Sequence, residues 1–320
     1  MTDRRLHVDP QLAGTLKALP MGPNGLFDLT DIPATREALL SFVAPDEVPT
    51  AVAVEEYLAT RPDGPDVPIR LLRPLTAGGP LPVLVWFHGG GQVLGFAAQD
   101  DSWLKPLCET IGCAIAAVDY RLAPETQAPG AAEDGLAAWR WLGREAGRLG
   151  LDGARIGIAG QSGGGGIAAA TALLIRDSGA AAPLFQSLLY PMIDDRDRTA
   201  SSHEITGIGI WDRATNVLAW KAILGERYGT DDVAPSSAPA RATELAGLPP
   251  TFIAVGELDC FRDEDLDFAM RLREHGVPVE LHLYPGAYHA FDLFAPQSRL
   301  GSSLRANWLG YVSRQFAAAG

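Results

Sequence analysis

The sequence predicts an α/β protein with a mostly parallel sheet and helices on both faces. Continuous apolar runs at 83–87 and 113–118 are typical of strands that are buried on both sides. Such runs alternate with stretches of helical periodicity such as 131–147, and this alternation is typical of a parallel sheet. A length of 320 residues suits one large domain with a smaller addition.

The first part of the chain carries weaker signals. Prolines recur through the first 50 residues, so we expect no long helix there, although a helical piece near 35–42 fits the pattern. Runs 51–58 and 67–72 flank the turn Arg61-Pro62-Asp63-Gly64, which predicts an antiparallel strand pair at a sheet edge.

The later elements follow in alternation. Helix 131–147 carries apolar residues near period 3.6, at Ala132, Leu136, Trp139 and Leu142. The remaining predicted strands are 155–159, 185–190, 251–255 and 279–284, and the remaining helices are 163–176, 263–275 and 300–316.

One stretch interrupts the alternation. Residues 194–247 contain no buried-strand run, and Trp211, Trp220 and Tyr228 stand at helix-like positions. We therefore expect a helical insertion that folds over one end of the sheet.

Charge and cysteine content exclude several classes of protein. The chain has 26 basic and 39 acidic residues, a net charge of −13, which disfavours nucleic acid and anionic membranes as partners. Three cysteines without metal-site spacing argue against a disulfide framework and a metal centre. The first residues lack the apolar run of a secretion signal, and no run reaches the roughly 20 residues of a membrane span. We expect a cytoplasmic protein.

The segment Gly160-Gln161-Ser162-Gly163-Gly164 stands between a predicted strand and a predicted helix. Gly-x-Ser-x-Gly in this position is the pattern of a nucleophile elbow, a turn so tight that its neighbours must be small. Ser162 is the candidate nucleophile.

A serine nucleophile needs a base, and His289 is the best candidate. It lies in the loop after strand 279–284, at the edge where parallel sheets place their sites. His282 falls within that strand and His275 at a helix end, so we interpret both as structural. His203 fits a solvated surface, and His7 fits the chain terminus.

The base needs a carboxylate to orient it. Asp259 follows strand 251–255, and serine, acid, histidine is the chain order of α/β-hydrolases. Glu257 is the rival, because a slip of one or two residues changes which side chain reaches the histidine. Asp263 and Asp265 fit the first turn of a helix, where acidic residues are favourable.

Backbone amides complete the predicted site. The amide of Gly163 opens a helix and is free to face an anion. The loop His88-Gly89-Gly90-Gly91 follows strand 83–87, and its glycines allow close approach to a substrate carbonyl. We predict Gly90, Gly91 and Gly163 as the oxyanion donors, with His88 holding the loop.

Together these segments resemble the hormone-sensitive-lipase-like family of α/β-hydrolases, in its bacterial carboxylesterase branch. The resemblance covers roughly residues 80–295. Besides the elbow and the His88–Gly91 loop, the matching segments are 118–125 (VDYRLAPE), 190–194 (YPMID), 259–263 (DCFRD) and 288–291 (YHAF).

The resemblance implies an eight-stranded α/β-hydrolase fold with a helical cap. The cap would combine residues 1–50 and 195–247, and the catalytic core would combine 51–194 and 248–320. It further implies hydrolysis of short- to medium-chain acyl esters without a metal or organic cofactor, structural roles for Arg121 and Glu125, and a homodimer as one expected assembly.

Two residues depart from the family pattern, which has Asp before the serine and Ala after it. Gln161 removes a charge beside the nucleophile, and Gly163 is expected to make the oxyanion loop more flexible. Alternatives are an amidase or lactonase with the same triad, and a non-catalytic ligand-binding protein similar to the plant gibberellin receptor. Receptors of that kind typically lose the catalytic histidine, which is present here as His289.

Overall fold

The predicted strands form a single eight-stranded sheet in the order β1-β2-β4-β3-β5-β6-β7-β8. The structure is a computed structural model that describes residues 7–22, 24–42, 50–76, 78–208 and 210–319. The strands are β1 (Val52–Ala59), β2 (Val67–Pro74), β3 (Leu81–Phe87), β4 (Ala114–Val118), β5 (Leu151–Gln161), β6 (Gln186–Leu189), β7 (Thr251–Leu258) and β8 (Val279–Tyr288).

Parallel pairing runs from β4 through β3, β5, β6 and β7 to β8. β1 and β2 pair in antiparallel fashion at one edge, and β2 joins β4 in the same sense. The predicted fold class and the edge pair are confirmed.

The helices cover both faces of this sheet. The three helices between residues 101 and 177 are α3 (Asp101–Ile111), α4 (Gly130–Glu145) and α5 (Gly163–Asp177), with a short 3₁₀ turn at Ala97–Asp100 before α3. The others are α1 (Pro10–Ala18), α2 (Ile32–Phe42), α6 (Ala200–Glu204), α7 (Arg213–Leu224), α8 (Arg262–Glu274), α9 (Phe291–Phe294) and α10 (Arg299–Ala318). In the described part of the chain, no helix has the length and hydropathy needed to cross a bilayer.

Burial on both faces explains the continuous apolar run of β3. Leu84 and Trp86 pack into the core on one side of the sheet, while Val83, Val85 and Phe87 pack into the core on the other. This alternation is the normal side-chain period of a strand.

The buried stripe of α4 differs from the predicted one. Leu136 and Trp139 are only half buried, whereas Gly135 and Ala138 face the core. A Cβ on Gly135 would lie 2.2 Å from Oγ1 of Thr171 in α5, so the small residues of α4 turn inward to let the two helices approach.

Pro10 begins a helix instead of preventing one. It stands in the first turn of α1, where the missing amide hydrogen costs nothing, and Asp9 caps the turn by accepting from the amide of Gln11 at 2.9 Å. Residues 1–6, 23 and 43–49 of the predicted segment 1–50 lie outside the described residues.

The insertion is helical in part. Trp220 lies in α7, but Trp211 precedes that helix and Tyr228 follows a short 3₁₀ turn. Between residues 195 and 247, the described residues contain no strand.

α10 is anchored to the sheet by Trp308. Its ring lies 5.9 Å from that of Trp86 and 5.3 Å from that of Trp103, and its Nε1 donates to Oγ of Ser187 in β6. Three indoles therefore join α3, α10 and the centre of the sheet.

Replacing Trp308 with Ala should lower the free energy of unfolding by about 3–5 kcal/mol, because it leaves a cavity in this cluster. Urea unfolding followed by circular dichroism measures the change. Arg314→Ala, on the exposed side of α10, is the matched control and should cost less than about 1 kcal/mol. A Trp308→Ala protein as stable as this control would show that the cluster does not anchor α10.

Candidate active site

The turn between β5 and α5 holds Ser162 in a strained conformation. Its φ is 54° and its ψ is −122°, outside the regions that non-glycine residues favour. A Cβ on Gly160 would lie 2.3 Å from the carbonyl oxygen of Gly164, and one on Gly164 would lie 2.2 Å from that of Phe87. The sequence around Ser162 folds this way because glycine removes those collisions.

The structure brings Ser162, His289 and Asp259 into one chain of contacts. Oγ of Ser162 lies 2.9 Å from Nε2 of His289, and Nδ1 of the same ring lies 2.8 Å from Oδ2 of Asp259. All three residues are buried. An imidazole that gives its Nδ1 hydrogen to the carboxylate keeps the lone pair of Nε2 for the hydroxyl.

Asp259, and not its rival Glu257, contacts the histidine. The second oxygen of Asp259 accepts from the amide of Phe261 at 3.0 Å, which fixes the carboxylate. Glu257 instead accepts from the amide of Gly286 at 2.9 Å. Asp263 lies in the first turn of α8, where it accepts from the amide of Ser201 at 2.8 Å.

Aromatic rings surround the imidazole of His289. Tyr190 and Phe261 meet it edge to face at 5.0 Å and 5.1 Å, and Trp211 lies 6.3 Å away. Tyr190 in turn donates its hydroxyl to Oδ1 of Asp292 at 2.8 Å. The ring of His289 is therefore held on three sides.

The loop after β3 packs directly on the turn at Ser162. A Cβ on Gly163 would lie 2.6 Å from the amide nitrogen of Gln92 and 2.8 Å from that of Gly91. Among the described residues, no group accepts a hydrogen bond from the amides of Gly90 or Gly91. The amides of Gly91 and Gly163 thus lie close together beside Ser162.

The buried side chain of His88 supports this loop. Tyr120 stacks on its ring at 4.2 Å and donates to its carbonyl oxygen at 2.8 Å. Burial lowers the pKa of His88 to about 4, so the ring is neutral at neutral pH.

The other histidines lie away from Ser162. His282 contacts Glu280 at 3.0 Å, His275 contacts Glu244 at 2.9 Å, and Nε2 of His203 lies 2.9 Å from the carbonyl oxygen of Asp197. No group of three or more His, Cys, Asp or Glu side chains among the described residues is arranged to hold a metal ion.

A pocket of about 1040 Å³ opens above Ser162 and His289. Leu19, Phe27 and Leu39 line it from the N-terminal segment, and Ile210 and Trp211 line it from the insertion. A Cβ on Gly91 would lie 2.2 Å from the ring of Trp211, so this indole rests on the backbone of the loop.

A family model of the α/β-hydrolase fold matches residues 84–293, which include Ser162, Asp259 and His289. The chain belongs to the hormone-sensitive-lipase-like family of α/β-hydrolases. Carboxylesterase NlhH of Mycobacterium tuberculosis is 34% identical to this α/β-hydrolase over 297 residues, 92% of each chain. Ethyl acetate hydrolase of Pseudomonas putida is 32% identical over 247 residues, 74% of this chain and 75% of that protein.

The solved structure of a bacterial heroin esterase is similar along nearly the whole chain. It superposes with a TM-score of 0.91 at 38% sequence identity, covering 97% of this α/β-hydrolase and 98% of that chain. NlhH, the esterase LipI of Mycobacterium tuberculosis and the heroin esterase are all named esterases, and this α/β-hydrolase is a serine hydrolase of the carboxylesterase type.

Arg36 is a site residue that the sequence does not reveal. From α2 it donates to the carbonyl oxygens of Val93 at 2.8 Å and Ala123 at 2.7 Å, and it pairs with both oxygens of Glu125 at 2.8 and 2.9 Å. The amide of Val93 donates to the carbonyl oxygen of Gly90 at 3.1 Å. Arg36 thus connects α2 to the loop beside Ser162. Its partners are 57 or more residues away in the sequence, so no local pattern predicts these contacts.

Arg36→Met should lower the free energy of unfolding by about 1–3 kcal/mol, because it breaks charge-assisted bonds to three acceptors. It should also lower esterase kcat/KM, since the loop beside Ser162 loses a support. Glu37→Gln, on the exposed side of the same helix, is the matched control and should change stability by less than about 0.5 kcal/mol. Equal stability and activity of the two variants would contradict the role given to Arg36.

Proposed function

We propose that the protein hydrolyses short- to medium-chain carboxylic esters, with Ser162 as nucleophile, His289 as general base and Asp259 as the group that orients the histidine. One observation carries the proposal: Oγ of Ser162, the ring of His289 and the carboxylate of Asp259 are linked at 2.9 and 2.8 Å on the floor of a pocket. This is the arrangement that acyl transfer through serine requires.

In the proposed first step, the hydroxyl of Ser162 attacks the ester carbonyl while Nε2 of His289 takes its proton. Asp259 stabilises the imidazolium that forms. His289 then returns the proton to the alcohol oxygen as the ester bond breaks, leaving an acyl group on Ser162. Water, deprotonated by the same histidine, releases the acid and restores the serine.

The tetrahedral oxyanion would accept from the amides of Gly90, Gly91 and Gly163. The closeness of the amides of Gly91 and Gly163 supports this assignment, as does the lack, among the described residues, of any acceptor for the amides of Gly90 and Gly91. Each donor of this kind is worth about 3 kcal/mol to the transition state.

We also propose that residues 1–50 and 195–247 form a cap over a core made of 51–194 and 248–320. The described parts of both cap segments line the pocket, at Leu19, Phe27 and Leu39 and at Ile210 and Trp211. The cap would therefore set the size of the acyl and alcohol groups that fit.

The preference for short to medium acyl chains rests on the pocket and on the relatives. The ethyl acetate hydrolase of Pseudomonas putida is named for a short ester. An amide or lactone would meet the same triad, so substrate choice belongs to the pocket. A homodimer and a cytoplasmic location stay predictions from the sequence; the free cysteines Cys108, Cys113 and Cys260 are in keeping with a reducing compartment.

Ser162→Ala should lower kcat on p-nitrophenyl esters by at least about 10³-fold, because the nucleophile is lost. A series of acyl lengths, run beside a matched amide and a lactone, measures both the loss and the preference. Ser302→Ala, an exposed serine on α10, is the control and should retain wild-type rates. Turnover by Ser162→Ala at the wild-type rate would sink the mechanism, and faster cleavage of the amide or lactone would change the substrate class.

Gly163→Ala should lower kcat/KM by about tenfold or more, because the new methyl group collides with backbone atoms of Gly91 and Gln92 and displaces the oxyanion loop. The control is Gly143→Ala in α4, where a Cβ meets no atom within 4 Å. Steady-state kinetics on one p-nitrophenyl ester compares the two. Unchanged kinetics of Gly163→Ala would mean that the loop tolerates displacement.

A further inference from the structure

The pocket wall contains a buried carboxylate with no cationic partner. Asp100 ends the 3₁₀ turn before α3, lines the pocket with Ser162 and is only 5% exposed. Its oxygens accept from neutral donors, Nε1 of Trp86 at 2.8 Å and Nε2 of Gln161 at 3.0 and 3.1 Å. In the described part of the chain, no Lys, Arg or His side chain forms an ion pair with it.

The arginines of the same pocket are already matched by carboxylates. Arg70 pairs with Asp101 and with Glu56, both at 2.5 Å. Arg305 lies 3.8 Å from the buried carboxylate of Asp292. Asp100 is therefore the charge in the pocket wall that the protein itself leaves unmatched.

A buried carboxylate without a counter-ion has two ways to avoid the cost of desolvation: it binds a proton or it meets a cation. Burial raises the pKa of Asp100 to about 7, so both forms are accessible near neutral pH. A cationic ligand in the pocket would favour the ionised form and would be attracted by it.

The rest of the pocket also suits a cation. Aromatic rings attract ammonium groups through their faces, and several aromatic side chains line this pocket. They belong to Phe27, Phe96, Trp103, Trp211 and Phe294. The net charge of −13 adds a general attraction for cationic molecules.

We propose that this pocket selects esters that carry a quaternary or protonated amine, with Asp100 as the counter-ion of the ammonium group. The inference rests on the ester hydrolysis proposed above and names its substrate class. Gln161 has a defined part in it. Where the family pattern has Asp, this neutral amide donates to Asp100, whereas a second carboxylate would repel it.

The groups that face Asp100 decide how selection depends on pH. Trp86, Trp103 and Gln161 do not titrate, and Asp101 keeps its ion pair with Arg70. Burial raises the pKa of Tyr120 and of Tyr190 well above the usual value, so both stay neutral. Arg305 lies 3.8 Å from Asp292, and His289 is the proposed base for the cationic and the neutral ester alike.

Selectivity for a cationic ester over its neutral isostere should therefore rise as Asp100 loses its proton. Below a pH of about 7 the carboxyl group of Asp100 is protonated, and the preference for the cationic ester weakens. Above that pH the carboxylate is ionised, and the preference reaches its maximum. The kcat/KM of the cationic ester divided by that of the neutral ester reports this change, because any effect of pH that is common to both esters cancels in the ratio.

The test uses acetylcholine and 3,3-dimethylbutyl acetate, which have the same shape but differ by one permanent positive charge. For the wild-type protein, the kcat/KM of acetylcholine divided by that of 3,3-dimethylbutyl acetate should exceed one and should increase from pH 6 to pH 8. Asp100→Asn should lower the ratio about tenfold and remove its pH dependence. Asp63→Asn, an exposed residue in the turn between β1 and β2, makes the same change in net charge and should leave the ratio unchanged.

Inhibition by tetramethylammonium provides a second measurement that needs no cationic substrate. It should compete with 3,3-dimethylbutyl acetate in the wild type and bind several-fold more weakly to Asp100→Asn. Failure of the wild type to hydrolyse the neutral ester would overturn the proposed function. Ser162-dependent hydrolysis of that ester with a ratio at or below one, or a ratio that Asp100→Asn does not change, would overturn this inference alone.

Discussion

The direct backbone contact between the turn at Ser162 and the loop after β3 is the constraint on which the pocket depends. Glycine at 163 and 164 lets the ends of two neighbouring strands touch without intervening side chains. The strain at Ser162 is tolerated because the surrounding backbone fixes it: its amide donates to Leu189 at 2.8 Å, and its carbonyl oxygen accepts from Gly166 and Met192. The hydroxyl, the histidine ring and the loop amides are therefore positioned by backbone packing before any substrate arrives.

Parts of the chain far from β5 hold the other components in place. α2 fixes the loop after β3 through Arg36, and Trp211 covers the backbone of Gly91 from the insertion. The start of α1 holds the end of β8, just before His289: the amide of Asp9 donates to the carbonyl oxygen of Gly286 at 2.9 Å. The residues that surround Ser162 are thus supported from both the N-terminal segment and the insertion, so the same elements that shape the pocket also stabilise it.

Local sequence patterns were enough to predict the strands of the sheet and the three side chains that contact one another, those of Ser162, Asp259 and His289. Apolar runs predicted the strands. The position of Asp259 directly after β7 favoured it over Glu257, and it is Asp259 that contacts His289. Other features depend on partners that are remote in sequence. Nothing around Asp100 distinguishes it from an acidic residue at a helix start, and its contact with Gln161 spans 61 residues. The helix at 101–111 is absent from the prediction, since Pro106 interrupts its pattern.

The contacts that hold α1 in place have a consequence for the order in which the chain folds during synthesis. Its contacts lie near the other end of the chain: the carbonyl oxygen of Leu12 accepts from the hydroxyl of Tyr288 across 276 residues, and Asp9 pairs with Arg299 across 290. Because synthesis runs from the N-terminus, α1 leaves the ribosome long before Tyr288 and Arg299 have been made, and it cannot make these contacts until then. The contacts of α1 with Tyr288 and Arg299 therefore form only after all eight strands of the sheet have been synthesised.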